Sequence, residues 1–233
     1  MNLGRDSKMN SAQKEKTRRP RRVSAEVQRT ELLDAASDML AGGGPEALSV
    51  RKLANAVGTS TMTIYTAFEG KDGVIAALYE EAFARMADFQ EAVPEGNSPL
   101  EWLAGLGAAY RAFALKNPSY YALIMSETLP ISQFQKQEAE PLARGIARQR
   151  SYRSLFDAVS ACQDQGLMSS DHATEEVTAV LWATVHGHVS LELAGFHESK
   201  AAADSRFLLL TQSVLTGLLT PKGKKAWRAF AAN

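Results

Sequence analysis

The sequence predicts an all-α fold in two parts, a compact N-terminal three-helix unit followed by a longer helical domain. Three observations support this. Apolar residues recur at helical spacing along most of the 233 residues, with no period-two strand pattern. Glycine and proline clusters interrupt that pattern at intervals suited to helices. Between Ser49 and Lys71, two very short helical segments flank a single glycine, the spacing of a helix-turn-helix.

The first helix is expected over about Ala25 to Leu40, burying Leu32, Leu33, Ala36, Met39 and Leu40, and the triplet Gly42-Gly43-Gly44 ends it. Ser49 can cap the second helix, whose buried stripe is Val50, Leu53, Ala54 and Val57. Gly58 stops that helix where a left-handed backbone is required. Ser60 or Thr61 caps the third, with Ile64 and Phe68 inward and Thr61, Met62, Thr63, Tyr65 and Thr66 outward. A fourth helix from Lys71 to about Glu91 carries Val74, Ile75, Leu78, Phe83 and Met86, and is long enough to join both parts. Breakers from Val93 to Pro99 form a loop, followed by helices over 100–116 and 118–127 and a looser connection through residue 137. Long helices are then expected over about 141–165, over 173–194 with Asp171 as cap, and over 202–219 before Pro221. The parts are a basic arm (1–22), the three-helix unit (23–70), the helical domain (71–220) and a tail (221–233).

The outward residues of the third helix suit DNA. A helix-turn-helix sets the start of its second helix against base edges, where hydroxyls bond phosphates or bases and a thioether contacts a thymine methyl. From about residue 25 to 80 the chain resembles the DNA-binding domain of the TetR family of transcriptional regulators. The matching features are the glycine triplet, Leu48-Ser49-Val50-Arg51-Lys52-Leu53-Ala54, Gly58, Ile64-Tyr65, Phe68 and Lys71. The resemblance implies phosphate contacts from Tyr65 and Lys71, with Ser60 and Thr63 in the same role. It implies base contacts from Arg51, Thr61, Met62 and Thr66, and Ser49 is grouped with this DNA-facing set. Ala67 departs from the pattern, standing where relatives often carry histidine or another larger polar residue.

Charge supports a nucleic-acid partner. The formal net charge is zero, yet residues 1–71 hold 12 Lys/Arg against 8 Asp/Glu. Lys14, Lys16, Arg18, Arg19, Arg21 and Arg22 are the densest cluster, a candidate arm along the DNA backbone. A hydrophobic content of 45% with 22% charged residues is that of an ordinary globular protein. A single cysteine, Cys162, excludes an internal disulfide framework and suits a reducing cytoplasm. No membrane partner is expected, since no apolar run approaches a span and no secretory signal precedes the first helix.

Catalysis, cofactors and metals are not expected. His186 and His188 point about 200° apart on one helix, which suits no shared metal. Gly42-Gly43-Gly44 follows no strand and so makes no phosphate loop. The helical domain instead suggests a cavity. Trp102, Phe113, Tyr121, Met125, Phe156, Trp182 and His186 are its candidate lining, an apolar wall with a few polar tips. Leu181-Trp182-Ala183-Thr184-Val185-His186-Gly187 also resembles a Trp…His-Gly signature of one TetR subgroup. The last two long helices carry Val177, Leu181, Val185, Leu191, Phe207, Leu210, Val214 and Leu218, more apolar surface than one pair buries. In the family such helices form a four-helix dimer interface, so a homodimer is expected.

The resulting expectation is a homodimeric repressor of a near-palindromic operator, released by a small apolar or amphipathic ligand. An activator or corepressor-type regulator of the same fold is one alternative. A helical small-molecule-binding protein without specific DNA binding is another.

Overall fold

The computed structural model describes residues 25–96, 98–125 and 150–231. The candidate arm over 1–22, the looser connection through residue 137 and the expected start of the long helix near residue 141 lie outside the described residues. Among those described, ten helices follow one another, and the sole sheet-like contact is an isolated antiparallel bridge between Met168 and Leu219.

Helix α1 (Ala25–Ala47) is broken at Gly43 and Gly44, whose φ/ψ values of −152°/15° and 64°/−167° leave the helical region. α2 (Val50–Val57) starts on Ser49, which accepts the Lys52 N–H at 3.2 Å. It ends on Gly58 at φ 68°, where the missing Cβ removes the left-handed penalty. α3 (Thr61–Phe68) starts on Ser60, which accepts the Thr63 N–H at 3.2 Å, so Ser60 rather than Thr61 is the cap. Leu32, Leu33, Leu53, Ile64, Phe68, Val74 and Ile75 form one buried cluster that binds α1, α2 and α3 to the start of α4. A fully buried side chain such as Ile64 contributes about 2 kcal/mol.

α4 (Lys71–Glu91) runs 21 residues, about 30 Å. Against it pack α5 (Pro99–Lys116), α6 (Pro118–Ile124) and α7 (Arg150–Asp164); α8 (Thr174–Leu193) packs on α5 and α7, and α9 (Lys200–Leu218) on α8. A second buried cluster, including Leu100, Leu103, Val159, Cys162 and Met168, lies among α5, α7 and the last helices. Burial pushes the Cys162 thiol up to about 12, which keeps it protonated and unreactive.

Three boundaries differ from the sequence expectation. α6 ends at Ile124, short of residue 127. Asp171 does not cap α8; it pairs with Ser169, and Glu176 accepts the Ala173 N–H at 3.2 Å instead. The expected tail contains α10 (Pro221–Ala231). Thr220 caps this helix, accepting the Gly223 N–H at 3.1 Å while donating to the Gly166 carbonyl at 2.8 Å. α10 docks so closely that a Cβ on Gly223 would lie 1.9 Å from the Leu167 carbonyl oxygen.

Candidate nucleic-acid interface and regulatory cavity

α3 offers large side chains to solvent at one end of the molecule. Met62 is 71% exposed and Tyr65 is 54% exposed. Two large side chains are thus held in water on one eight-residue helix. Arg51, Ser60, Thr61 and Thr66 are exposed beside them, Thr63 and Lys71 are half-buried, and Ser49 is half-buried as the α2 cap. The Ser60 and Thr63 hydroxyl oxygens lie 3.0 Å apart, and Thr66 donates to the Met62 carbonyl at 2.9 Å. These bonds pre-set the side chains at the helix tip while leaving oxygen lone pairs outward.

α1 braces this corner from behind. Gln28 donates to Thr59 in the turn at 3.2 Å, and the Arg29 guanidinium sits 4.6 Å over the Phe68 ring. The turn from α3 into α4 is equally constrained. Glu69 adopts φ 62° and Gly70 φ 120°. Gly73 packs its Cα face against the Phe68 carbonyl, where a Cβ would lie 1.6 Å from the oxygen.

A cavity of about 780 Å³ occupies the helical domain, within the size range of small-molecule sites. Its wall comes from α4 through Phe83, Met86 and Gln90, from α5 through Tyr110, and from α6 through Ile124 and Met125. α7 adds Tyr152 and Leu155, α8 adds Trp182 and Val185, and α9 adds Phe207 and Leu208. Of the lining expected from sequence, Met125 and Trp182 are on the wall. The other five are elsewhere. Phe113 is fully buried in the first core, edge-on to Phe89 at 5.9 Å, and Trp102 packs on the second core. Phe156 is half-buried on α7, away from the lining.

Tyr121 and His186 stand one layer behind the wall. Tyr121 Oη lies 2.6 Å from His186 Nδ1 and 3.1 Å from Ser190 Oγ, and Tyr110 Oη lies 3.2 Å from the same nitrogen. Trp182 stacks on the imidazole at 5.8 Å. Burial lowers the His186 pKa, so the ring is neutral near pH 7 and one nitrogen stays free to accept. The sequence expectation missed Gln90, Phe83, Tyr110 and the α10 residues Trp227 and Phe230, which also line the cavity. A Thr-Pro helix start at 220–221 followed by two aromatics three residues apart was the available signal for α10.

α6 links this cavity to α1. Adjacent residues face opposite ways: Tyr121 toward His186, and Tyr120 toward Asp34 of α1, to which it donates at 2.8 Å. Arg85 of α4 completes the junction, 2.8 Å from Asp34 and 4.2 Å over the Tyr120 ring. Ser119 donates to Asp38 at 2.7 Å. α6 thus contacts the cavity wall on one side, through Ile124, and the helix that braces the α2–α3 corner on the other.

The α8–α9 pair presents an outward apolar face, built from residues other than most of those expected. Val177 and Phe207 are buried within the protomer, and Leu181 and Val185 line the cavity, because the inward side of each helix is already used. Leu210, Val214 and Leu218 are half-buried. The outward stripe is Val180, Ala183, Gly187 and Leu191 on α8 with Leu209 on α9, all exposed, while the exposed Leu208 lies at the mouth of the cavity. No group of three or more His, Cys, Asp or Glu among the described residues is placed to hold a metal. No helix among them is long and apolar enough to cross a membrane.

Comparison with known proteins joins the two ends of the molecule. Residues 32–78 match the family model described as bacterial regulatory proteins, tetR family. Residues 103–214 match that of the tetracyclin repressor-like C-terminal domain. The HTH-type transcriptional regulator Rv1816 of Mycobacterium tuberculosis is 21% identical over 211 residues, spanning 79% of this chain and 88% of the relative. Among solved structures, the TetR family transcriptional regulator PfmR from Thermus thermophilus superposes with a TM-score of 0.62 at 18% identity, over 81% of this chain and 99% of that one. The ketosteroid transcriptional regulator KstR2 of Mycobacterium tuberculosis gives 0.57 at 20% identity, over 83% and 95%. Both likenesses are of fold.

Proposed function

Because the chain belongs to the tetR family of bacterial regulatory proteins, we propose that this transcriptional regulator is a repressor whose homodimer occupies a near-palindromic operator until a small apolar or amphipathic ligand releases it. The observation that carries this reading is the capped tip of α3, with Met62 and Tyr65 held outward beside a row of hydroxyls. Two such tips about 34–36 Å apart would enter successive major grooves. The outward stripe of α8 and α9 supplies the dimer contact, its Ala183 and Gly187 allowing close helix approach. In this reading Tyr65, Lys71, Ser60 and Thr63 hold phosphates, while Arg51, Thr61, Met62 and Thr66 meet bases. Trp182 lines the cavity and His186 stacks behind it, holding that part of the wall in place. Ligand in the cavity moves α4 and α6, and a coupling of about 1–3 kcal/mol weakens operator binding roughly 5–150-fold.

Selection of bound sequences from random DNA, followed by titration at fixed salt, tests the docking. Tyr65→Phe and Lys71→Ala are each expected to weaken every selected site by about fivefold or more, from loss of a charge-assisted phosphate bond. Thr61 or Met62 changes are expected to alter sequence preference instead. Wild-type affinity in both Tyr65→Phe and Lys71→Ala would remove α3 from the interface. For the dimer, Leu209→Glu sets a charge on the outward face and is expected to give a monomer in sedimentation, with operator binding lost. A monomeric wild-type chain at micromolar concentration would overturn the arrangement.

A further inference from the structure

The chemistry of the cavity wall restricts what fills it. Among its lining residues, the sole formally charged side chain is Glu101, exposed at the rim, and no described Lys or Arg lines the wall. An anionic ligand would lose its hydration without gaining a cation, and would face the Glu101 carboxylate. A cationic ligand would find no carboxylate beneath the rim among the described residues. Rings dominate the surface: Phe83, Tyr110, Trp182, Phe207, Trp227 and Phe230. One polar group stands out among them. Gln90 is 5% exposed, lines the cavity from the last turn of α4, and its Oε1 is buried without a hydrogen-bond partner among the described residues. A buried acceptor left unpaired is costly, and a ligand donor that meets it recovers that cost.

We infer that the cavity takes an uncharged, ring-rich molecule bearing a hydroxyl or N–H group that donates to Gln90. The inference rests on the proposed ligand-released function and deepens it, with Gln90 as the residue that sets specificity. Its place on α4 matters, because that helix starts at the DNA-facing corner and ends at the cavity.

The test uses two molecules of one skeleton: N-phenyl-1-naphthylamine, neutral with a single N–H, and its sulfonated analogue 8-anilino-1-naphthalenesulfonate. Calorimetric titration of the full-length protein without DNA is expected to give one N-phenyl-1-naphthylamine per protomer, and at least tenfold weaker binding of the sulfonate. Gln90→Met, close in volume but without the amide, is expected to weaken N-phenyl-1-naphthylamine about three- to tenfold. The same substitution is expected to raise the melting temperature of the free protein, since it removes an unpaired buried acceptor. A purely structural glutamine would move stability and affinity down together. Equal binding of both molecules, a Kd for the neutral one weaker than about 100 μM, or unchanged affinity in Gln90→Met would each overturn the inference. Operator titration of the same preparation separates the two readings. Neutral binding as expected without release from DNA leaves the cavity chemistry standing and removes the regulatory role. Failure of operator binding alone leaves the titration result intact.

Discussion

Replacing Gly73 by alanine is expected to separate the DNA-facing corner from the rest of the molecule. The added Cβ would lie 1.6 Å from the Phe68 carbonyl oxygen and 2.7 Å from its carbon. Both are backbone atoms, so no side-chain rotation relieves the clash. The first turn of α4 must move outward, taking Val74 and Ile75 from the core they share with Ile64 and Phe68. Such overpacking is expected to cost about 3 kcal/mol. For a chain of this length, that lowers the melting temperature by about 6–12 °C. Operator affinity is expected to fall by more than the stability loss alone would give, because α3 is left without its platform. Gly42→Ala is the control: a Cβ there meets nothing within 4 Å, and the change should be neutral or slightly stabilising. Equal melting temperatures for Gly73→Ala and wild type would show that the close approach of α3 and α4 is unimportant.

The second large effect is expected at Arg111. Its guanidinium bonds Glu192 twice, at 2.7 and 2.6 Å, and Asp204 at 2.6 Å, joining α5, α8 and α9. Arg111 and Glu192 side chains are only 13% and 11% exposed. Arg111→Ala leaves a nearly buried carboxylate without its cation, a change expected to cost about 3–5 kcal/mol. Pairing Arg111→Met with Glu192→Gln removes both charges and is expected to recover most of the loss. The acid limb of the stability curve gives a second check. The Arg111 bonds hold the Glu192 carboxyl below the usual carboxylate range. Its contribution is therefore present above the unfolded-state carboxylate pKa, and disappears as pH falls through the lowered folded value. Chemical denaturation between pH 7 and pH 3 should show a shallower acid loss in Arg111→Ala than in wild type. An unchanged slope would mean that the cluster contributes nothing net.

The DNA-facing corner was legible in the sequence because its determinants are local. Ser49, Gly58 and Ser60 each act on backbone groups within a few residues, and Ile64 and Phe68 fall on one side of an eight-residue helix at helical spacing. Cavity and core were not separable in this way. Phe83 on α4 and Phe113 on α5 are both aromatic and both sit on inward helix faces. Only the convergence of α4, α5, α7, α8 and α9 leaves space beside the first and none beside the second. The same limit applied to α8 and α9. Both are apolar on more than one side, so periodicity identified surplus surface without indicating which stripe faces out. Val177 and Val180, three residues and only about 60° apart around the helix, still differ: one is buried, the other half exposed.

The chain has three tryptophans, and the wall of the cavity includes two of them, Trp182 and Trp227, while Trp102 packs against the second core. An occupant would displace solvent from two indoles at once and leave the third as a constant background. Intrinsic ultraviolet emission should therefore shift in wavelength and intensity as the cavity fills, giving an unlabelled optical gauge for screening candidate effectors.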